Sequence, residues 1–574
     1  MGSSESETKE EIAKPASAPV RPKSRMVLAV IIAAVFIVAA VVGAWAFGLI
    51  GGEDEEKVLV IAMSSDVQAM DPAKTSAMYG PPGLIYETLI TRDLNGDYAD
   101  GLAVDWNLNR DDPDHPTFEI ELRQGVTFHD GTPFNTEAVR DIINYYAQDD
   151  SWVQYEFWAV YGCENKTGWP DAGIWCKDDY NMVLNLTWAD VALEFNLSHL
   201  YGSMLWPKAL EEDGLDLYGT KDGHVIGTGP FMLEEWIPGD HITLVKNPNY
   251  TWGFSWYENK GPAKIDKIIY RIIVNQNTRF AGFESGDIDV LQQVPPSKVQ
   301  EYLDDDEVTV ITERGQGTYH VEFNCQKDPW DDPNLRKAFC YAVDREQILN
   351  TVWHGIGEEG VNCLAPWIPE SQRVPEEYNY TYDVDRAMDL FELAGFTLNG
   401  DGWLENDTGE LYLDLWTTEK GEDIQMGEIV QAQFEDVGVH VTLTPYAETQ
   451  LRDEAADGTQ EAILFWYSWP RAEILDWHFG AWAVEGSNTG WYEDEVFDNY
   501  VVNWTYAETE EEFSDNATAA LIRLQDQGAW CTLIYWHQIF AVHDYVTFQG
   551  EPGWAVNPLG QEQVINIVDV DINK

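Results

Sequence analysis

From Met26 to Ile50 the chain reads MVLAVIIAAVFIVAAVVGAWAFGLI, without one charge. As a helix this run reaches about 37 Å at about 1.5 Å per residue, enough to cross a hydrocarbon core of about 30 Å. Arg21, Lys23 and Arg25 precede it, and Glu53, Asp54, Glu55 and Glu56 follow it. Basic residues favour the cytoplasmic side, so the pattern predicts a disordered cytoplasmic tail (1–25), one transmembrane helix (26–50) and a body outside. The rival reading is a signal peptide cleaved near Ala44-Trp45-Ala46. The run is longer than the usual signal core of about 7–15 residues and a polar leader precedes it, so a retained anchor is preferred.

After a Gly/acidic linker (51–57) the pattern changes to short alternating elements. KVLVIAM (57–63) is a β-branched run bounded by polar residues, which predicts a buried strand. GLIYETLI (83–90) suits a helix, FEIELR (118–123) a half-buried strand, and TEAVRDIINYY (136–146) a helix capped by Asn135 or Thr136. HITLVKN (241–247), KIIYRIIV (267–274) and DIDVL (287–291) predict strands, with a helix over 278–286 stopped by Gly286. YHVEFN (319–324) predicts a strand and 334–353 one long amphipathic helix. Beyond a helix at 385–394, strand 411–417, helix 425–438 and strand 440–446 alternate in the manner of an α/β sheet covered by helices.

Charge narrows the function. Among 574 residues, 100 are acidic and 34 basic, for a formal net charge of −66. Such a body repels nucleic acid and anionic lipid, so nucleic-acid binding is excluded. A solvated surface in a salty medium accounts for the acidity better than a cationic partner does. Of six cysteines none forms a CxxC pair, so a zinc ribbon or thioredoxin motif is unsupported. Cys163 and Cys176 bracket a Gly/Pro/Asn-rich segment and are the favoured disulfide in an extracellular body; Cys325, Cys340, Cys363 and Cys531 are left open between pairing and buried thiols. No HExxH, GxSxG or Walker-type loop occurs, which argues against a secreted hydrolase, and neither a metal site nor a cofactor is expected.

A series of landmarks then runs in order along the body. Met70-Asp71-Pro72 precedes Tyr86-Glu87-Thr88-Leu89, then Gly101-Leu102-Ala103 and Trp106, then the string from Arg123 to Phe134, RQGVTFHDGTPF. Gly227-Thr228-Gly229-Pro230-Phe231, Trp236, Pro238-Gly239 and Asn247-Pro248-Asn249-Tyr250 follow. Arg279, Ala281 and Gly286-Asp287-Ile288-Asp289 come next, and Phe323-Asn324, Arg336, Ala338 and Ala342-Val343-Asp344-Arg345 close the series. This order resembles the large solute-binding proteins of ABC importers, family 5, the peptide/nickel type. Each landmark also has a plain structural reading. HDGTPF is a turn, and His129 reads as a hydrogen-bonded turn histidine before a metal ligand.

The resemblance implies a bilobal, periplasmic-binding-protein-like α/β fold of the large three-domain type. Domain I would comprise 58–98, 226–308 and 537–574, domain II 99–225 and domain III 309–536. A peptide or other small solute would sit between I and III and be passed to ABC permease and ATPase subunits, without catalysis. A solute sensor or adhesin on the same fold is the alternative, and the short cytoplasmic tail argues against autonomous signalling.

Candidate ligand contacts follow from aromatic density and from strand ends. ILFWYSWPRAEILDWHFGAW (463–482) is the densest aromatic stretch; Trp466, Ser468, Trp469 and Arg471 leave a strand there, with Arg471 able to grip a carboxylate in bidentate fashion. Met78 and Tyr79, Thr318 and Tyr319, Trp416 and Thr417, Trp491, and Trp536 and His537 are further candidates, lying in loops or near strand ends. In one respect the pattern departs from its peptide-binding relatives, which often carry an Asp for the ligand's amino group where Trp469 stands here. Glu473 and Asp476 are the acids left nearby.

Overall fold

The β-branched run at the start of the body forms an interior strand of a large mixed sheet. The computed structural model describes residues 56–574 apart from 76–77, 79, 94–96, 113–114, 149–150, 161–172, 470 and 548–566. The expected anchor (26–50) therefore lies outside the described residues, among which no helix is long and apolar enough to cross a membrane. The strands of the two main sheets are β1 (Val58–Met63), β2 (Ala103–Asn109), β3 (Thr117–Leu122), β4 (Ile174–Cys176), β5 (Asn181–Asn185), β6 (Phe231–Ile237), β7 (His241–Lys246), β8 (Lys267–Ile272), β9 (Val290–Leu291), β10 (Val308–Phe323), β11 (Glu358–Glu359), β12 (Tyr412–Thr418), β13 (His440–Tyr446), β14 (Ala462–Ser468) and β15 (Trp530–His543).

The large sheet runs β13-β12-β14-β10-β15-β9-β1-β8-β7-β6, with β11 added on β15; the small one runs β2-β3-β5-β4. β1 lies parallel to β8, from Val58 beside Lys267 to Met63 beside Ile272. Two long antiparallel strands, β10 and β15, carry the sheet through its middle. Val308–Arg314 pairs with His537–His543, and the register shifts between Arg314 and Thr318. Beyond the shift, β10 pairs with Trp530–Tyr535 on one side and with all of β14 on the other.

Burial follows the same division. One core joins β1, β3, β5, β7 and β8 to the helix Thr136–Tyr146, so the small sheet shares its interior with the first part of the large one. A second core packs β12 and β14 against the helices Pro333–Ala342 and Gly421–Asp436, and a third gathers residues 363–374, 472–529 and Tyr535.

Most predicted elements form with ends shifted by a residue or two. The helix at 136–146 is capped by Asn135, whose side chain accepts from the Ala138 N–H. Two helical expectations fail. The long helix expected over 334–353 breaks at Val343, and Asp344 caps a second helix, Arg345–Val352, by accepting from the Gln347 N–H. Aspartate bonds nearby backbone N–H groups more readily than it continues a helix. GLIYETLI is helical only over Pro82–Ile85, and Tyr86 turns extended.

Straightening at Tyr86 places Glu87 in the first core. Its carboxyl accepts from Tyr250 Oη at 2.8 Å and from Trp252 Nε1 at 3.0 Å. Burial outweighs these donors and lifts its pKa to about 7. A carboxyl raised in the folded state contributes fully below its unfolded pKa of about 4.5, and that contribution is lost as pH rises through about 7. We expect Glu87 to cost roughly 3 kcal/mol of stability between pH 4.5 and 8. Urea unfolding of wild type and Glu87→Gln across that range checks this: the substituted protein should lose less stability, by about that amount.

Candidate functional site

The strands β14, β10 and β15 bring several of the predicted residues side by side. Residues directly opposite on antiparallel strands share a face. Trp466 lies opposite Tyr319, and Ser468 opposite Gly317. Trp536 leans over Gly317, where an added Cβ would fall 1.9 Å from the indole Nε1. Only glycine admits that approach. Tyr319, Trp466, Ser468 and Trp536 thus form one patch at the crossing of the two long strands. The Lys420 ammonium stands 5.3 Å from the Trp466 ring and is paired with Glu448 at 2.9 Å. Trp466 Nε1, Ser468 Oγ and Trp536 Nε1 are buried and have no hydrogen-bond partner among the described residues.

The opposite face carries Thr318, Tyr467 and Tyr535. Thr318 Oγ1 lies 3.0 Å from His320 Nδ1, and His320 Nε2 donates to Glu322 at 2.8 Å. The hydroxyl of Thr489 donates to the same carboxylate, and the His320 ring stacks on Trp530 at 3.7 Å. Thr318 is therefore tied into a buried chain of polar groups. His537 faces Trp367 and stands 3.9 Å from Glu358.

Trp469 and Arg471, just past β14, reach the segment that follows the small sheet. Trp469 packs on His199 at 5.4 Å, Tyr201 at 6.0 Å and Phe195 at 6.2 Å. The Arg471 guanidinium lies between the rings of Phe195 (4.9 Å) and Phe513 (5.1 Å) and donates to Tyr98 Oη at 3.3 Å. The carboxylate it meets is Glu473 of its own chain, at 3.0 Å from Nε and 2.8 Å from Nη2. Asp476, the other nearby acid, accepts from Trp482 Nε1 at 2.7 Å. Tyr98, Phe195, His199 and Tyr201 had no signal in the sequence. They meet the 469–471 stretch across hundreds of positions, and no periodicity marks them.

The remaining candidates stand apart. Met78 is wholly buried in the first core, and Tyr79 lies outside the described residues. Trp416 is buried with Leu451 and Phe465, its Nε1 donating to Asp414 at 2.8 Å, and Thr417 is fully buried. Trp491 covers Gly458 and donates to the Ala455 carbonyl, beside the far end of β10. At about 3.3 Å per residue that end is some 16 Å from Thr318, so Trp491 does not join the patch. Cys176 carries a free thiol directed at the Thr136 carbonyl, while Cys163 lies outside the described residues.

Residues 97–480 match the profile of bacterial extracellular solute-binding proteins, family 5 (middle). The chain belongs to this family. The glutathione-binding protein GsiB of Salmonella typhimurium is 23% identical over 462 residues, which span 77% of this chain and 82% of GsiB. The fold is similar to that of NikA from Brucella suis, solved with Fe(III)-EDTA, at a TM-score of 0.75 and 21% identity over 90% of this chain and all of NikA. DppA from Helicobacter pylori, solved with the peptide STSA, gives a TM-score of 0.69 and 21% identity over 90% of this chain and 98% of DppA. As a family 5 member the protein is a non-enzymatic solute-binding protein.

The family 5 landmarks do structural work in this chain. His129, from the HDGTPF turn, accepts the Gly227 N–H at Nδ1 (3.3 Å) and so donates from Nε2 to the Gly229 carbonyl (3.0 Å). It clamps one landmark to the next, and burial lowers its pKa to about 4, so it stays neutral.

Carboxyls crowd the Arg471 junction. Glu156 is lifted to about 8 by burial and then by Glu473 and Asp190. Asp190 is lifted to about 6, chiefly by burial. Burial opposes the charge of Arg471, but the neighbouring carboxylates, Glu473 first, hold its pKa above the ordinary value. Removing this cation leaves Glu473 uncompensated, and breaking a buried pair costs about 3–5 kcal/mol. Arg471→Ala should lose that much in urea unfolding at pH 7.5. The deficit should narrow at pH 5, where Asp190, lifted to about 6, is protonated and needs no counter-charge.

Proposed function

We propose that this protein is a membrane-anchored extracellular receptor that captures a peptide or similar small solute and delivers it to the permease and ATPase of an ABC importer. The single observation that carries the reading is the patch at the strand crossing. Three donors, Trp466 Nε1, Ser468 Oγ and Trp536 Nε1, share one sheet face without partners among the described residues. Buried donors left unpaired are costly, and a solute with carbonyl or carboxylate oxygens supplies what they lack. Aromatic walls with a few convergent polar groups are the common form of a small-molecule site.

The proposed arrangement is domain I at 58–98, 226–308 and 537–574, domain II at 99–225 and domain III at 309–536, with the solute enclosed between I and III. The chain is held to the membrane by residues 26–50. Relatives named for glutathione and solved with a peptide or a metal chelate support a small polar solute. Trp469 is packed among aromatic rings, and Glu473 is engaged by Arg471. We therefore propose that no carboxylate from this stretch receives a free amino terminus.

Mass spectrometry of the small molecule that co-purifies, followed by isothermal titration with it, tests the reading. The solute should be recovered unchanged, and Trp536→Phe and Ser468→Ala should each weaken binding about three- to tenfold, the worth of one hydrogen bond. Full affinity in both variants would remove the patch from the site.

A further inference from the structure

Three cysteines meet around the first residues of β15, and two of them touch. Cys340, on the helix Pro333–Ala342, and Cys531, on β15, are both fully buried in the second core. Their thiols hydrogen-bond each other, and Cys340 Sγ lies 3.7 Å from the Trp530 carbonyl oxygen. Arg345 is fixed beside them. It donates to the carbonyls of Thr532 (2.7 Å), Cys340 (3.0 Å) and Val343 (3.2 Å), and its Nη2 stands 3.7 Å from Cys531 Sγ. The break of the predicted long helix at Val343 is what turns Arg345 inward. Cys363, the third thiol, is instead directed at Gln525 Oε1 at 3.4 Å.

The two thiols are unequal. Burial opposes ionisation of Cys531, but the hydrogen bond from Cys340 and the charge of Arg345 outweigh it and hold its thiol below the ordinary range. Burial pushes Cys340 well above that range. A thiolate is the species that attacks a disulfide, and the Arg345 guanidinium beside Cys531 Sγ makes Cys531 the better placed of the two to form one.

We propose that Cys340 and Cys531 are a disulfide-forming pair, closed by thiol–disulfide exchange in the oxidising space outside the cell as the helix docks on β15. Disulfides persist in that compartment, where family 5 proteins reside. The oxidant is a disulfide, carried by a protein oxidoreductase or a small molecule. The Cys531 thiolate attacks one sulfur of this donor and forms a mixed disulfide, and the other donor sulfur leaves as a thiolate. Cys340 gives up its proton, attacks the Cys531 sulfur and expels the second donor sulfur. Two protein thiols are oxidised to one S–S bond, and the donor is reduced to two thiols. The bond would tie residues 191 positions apart and fix the helix to the strand that spans the sheet. Direct contact selects this pair over either pairing with Cys363.

The test uses the full chain, purified from membranes of the cells that export it, with maleimide present from lysis onward under denaturing conditions. Peptide mapping without reductant should find the Cys340 and Cys531 peptides cross-linked and Cys363 alkylated. After reduction both become available to a second, heavier maleimide. A reductant should lower the Tm of the wild type and leave that of Cys340→Ser unchanged. Alkylation of Cys340 and Cys531 by the first maleimide, or a cross-link from either to Cys363, overturns the proposal. Protease access to the body on intact cells is measured in parallel, so that a wrong topology is told apart from a wrong pairing.

Discussion

The pairing of β10 with β15 is the constraint on which the rest of the body depends. Their ladder runs from Val308–His543 to Glu322–Trp530, and every other strand of the large sheet reaches its place through one of these two. On one side β9 docks on β15 and leads to β1, β8, β7 and β6; on the other, β14 docks on β10 and leads to β12 and β13. The candidate patch exists because both strands pass the crossing together. Antiparallel register sets Ser468 against Gly317 and Trp466 against Tyr319, and the missing side chain of Gly317 lets Trp536 lie over the backbone.

Three buried guanidinium groups are each enclosed by named partners. Arg345 is held by three carbonyl oxygens, Arg336 donates to the carbonyls of Trp330 and Gln527, and Arg471 is held by a carboxylate and two aromatic rings. An unpaired ion in such places would be expelled or neutralised. The exposed surface takes the opposite course. With 34 basic residues against 100 acidic ones, most of the acids have no cation to pair with. In a salty medium this charge is screened within roughly one Debye length of about 8 Å and serves mainly solubility.

Much of the architecture was legible because it is written in local chemistry. The period-two run of β3, the Asn135 cap and the strand–helix alternation from β12 to β13 all use rules that act within a few residues. The ordered landmarks resolved the family, and His129 proved to be the turn clamp its context suggested. What could not be read depends on distant partners. Straight backbone at Tyr86 is imposed by Tyr250 and Trp252 pulling on Glu87 from more than 160 positions away. Trp466, Ser468 and Trp536 fall together only once the register of three strands is known. Arg471 looked available from its neighbours in sequence, since Tyr98 and Phe195 that enclose it are invisible from there.

The register shift between Arg314 and Thr318 has a mechanical consequence. A hydrogen-bonded ladder resists bending, so β10 and β15 are stiffest where their rungs are regular and yield first where the register shifts, between Arg314 and Thr318 and again between Tyr319 and His320. A swing of the β12–β14 flank against the β1–β9 flank would be taken up over Gly315 to His320, where the rungs are interrupted. The Trp536 indole rests on that joint. A guest molecule pressing on this ring would therefore bear directly on the pivot, like a wedge at the axle of a hinge.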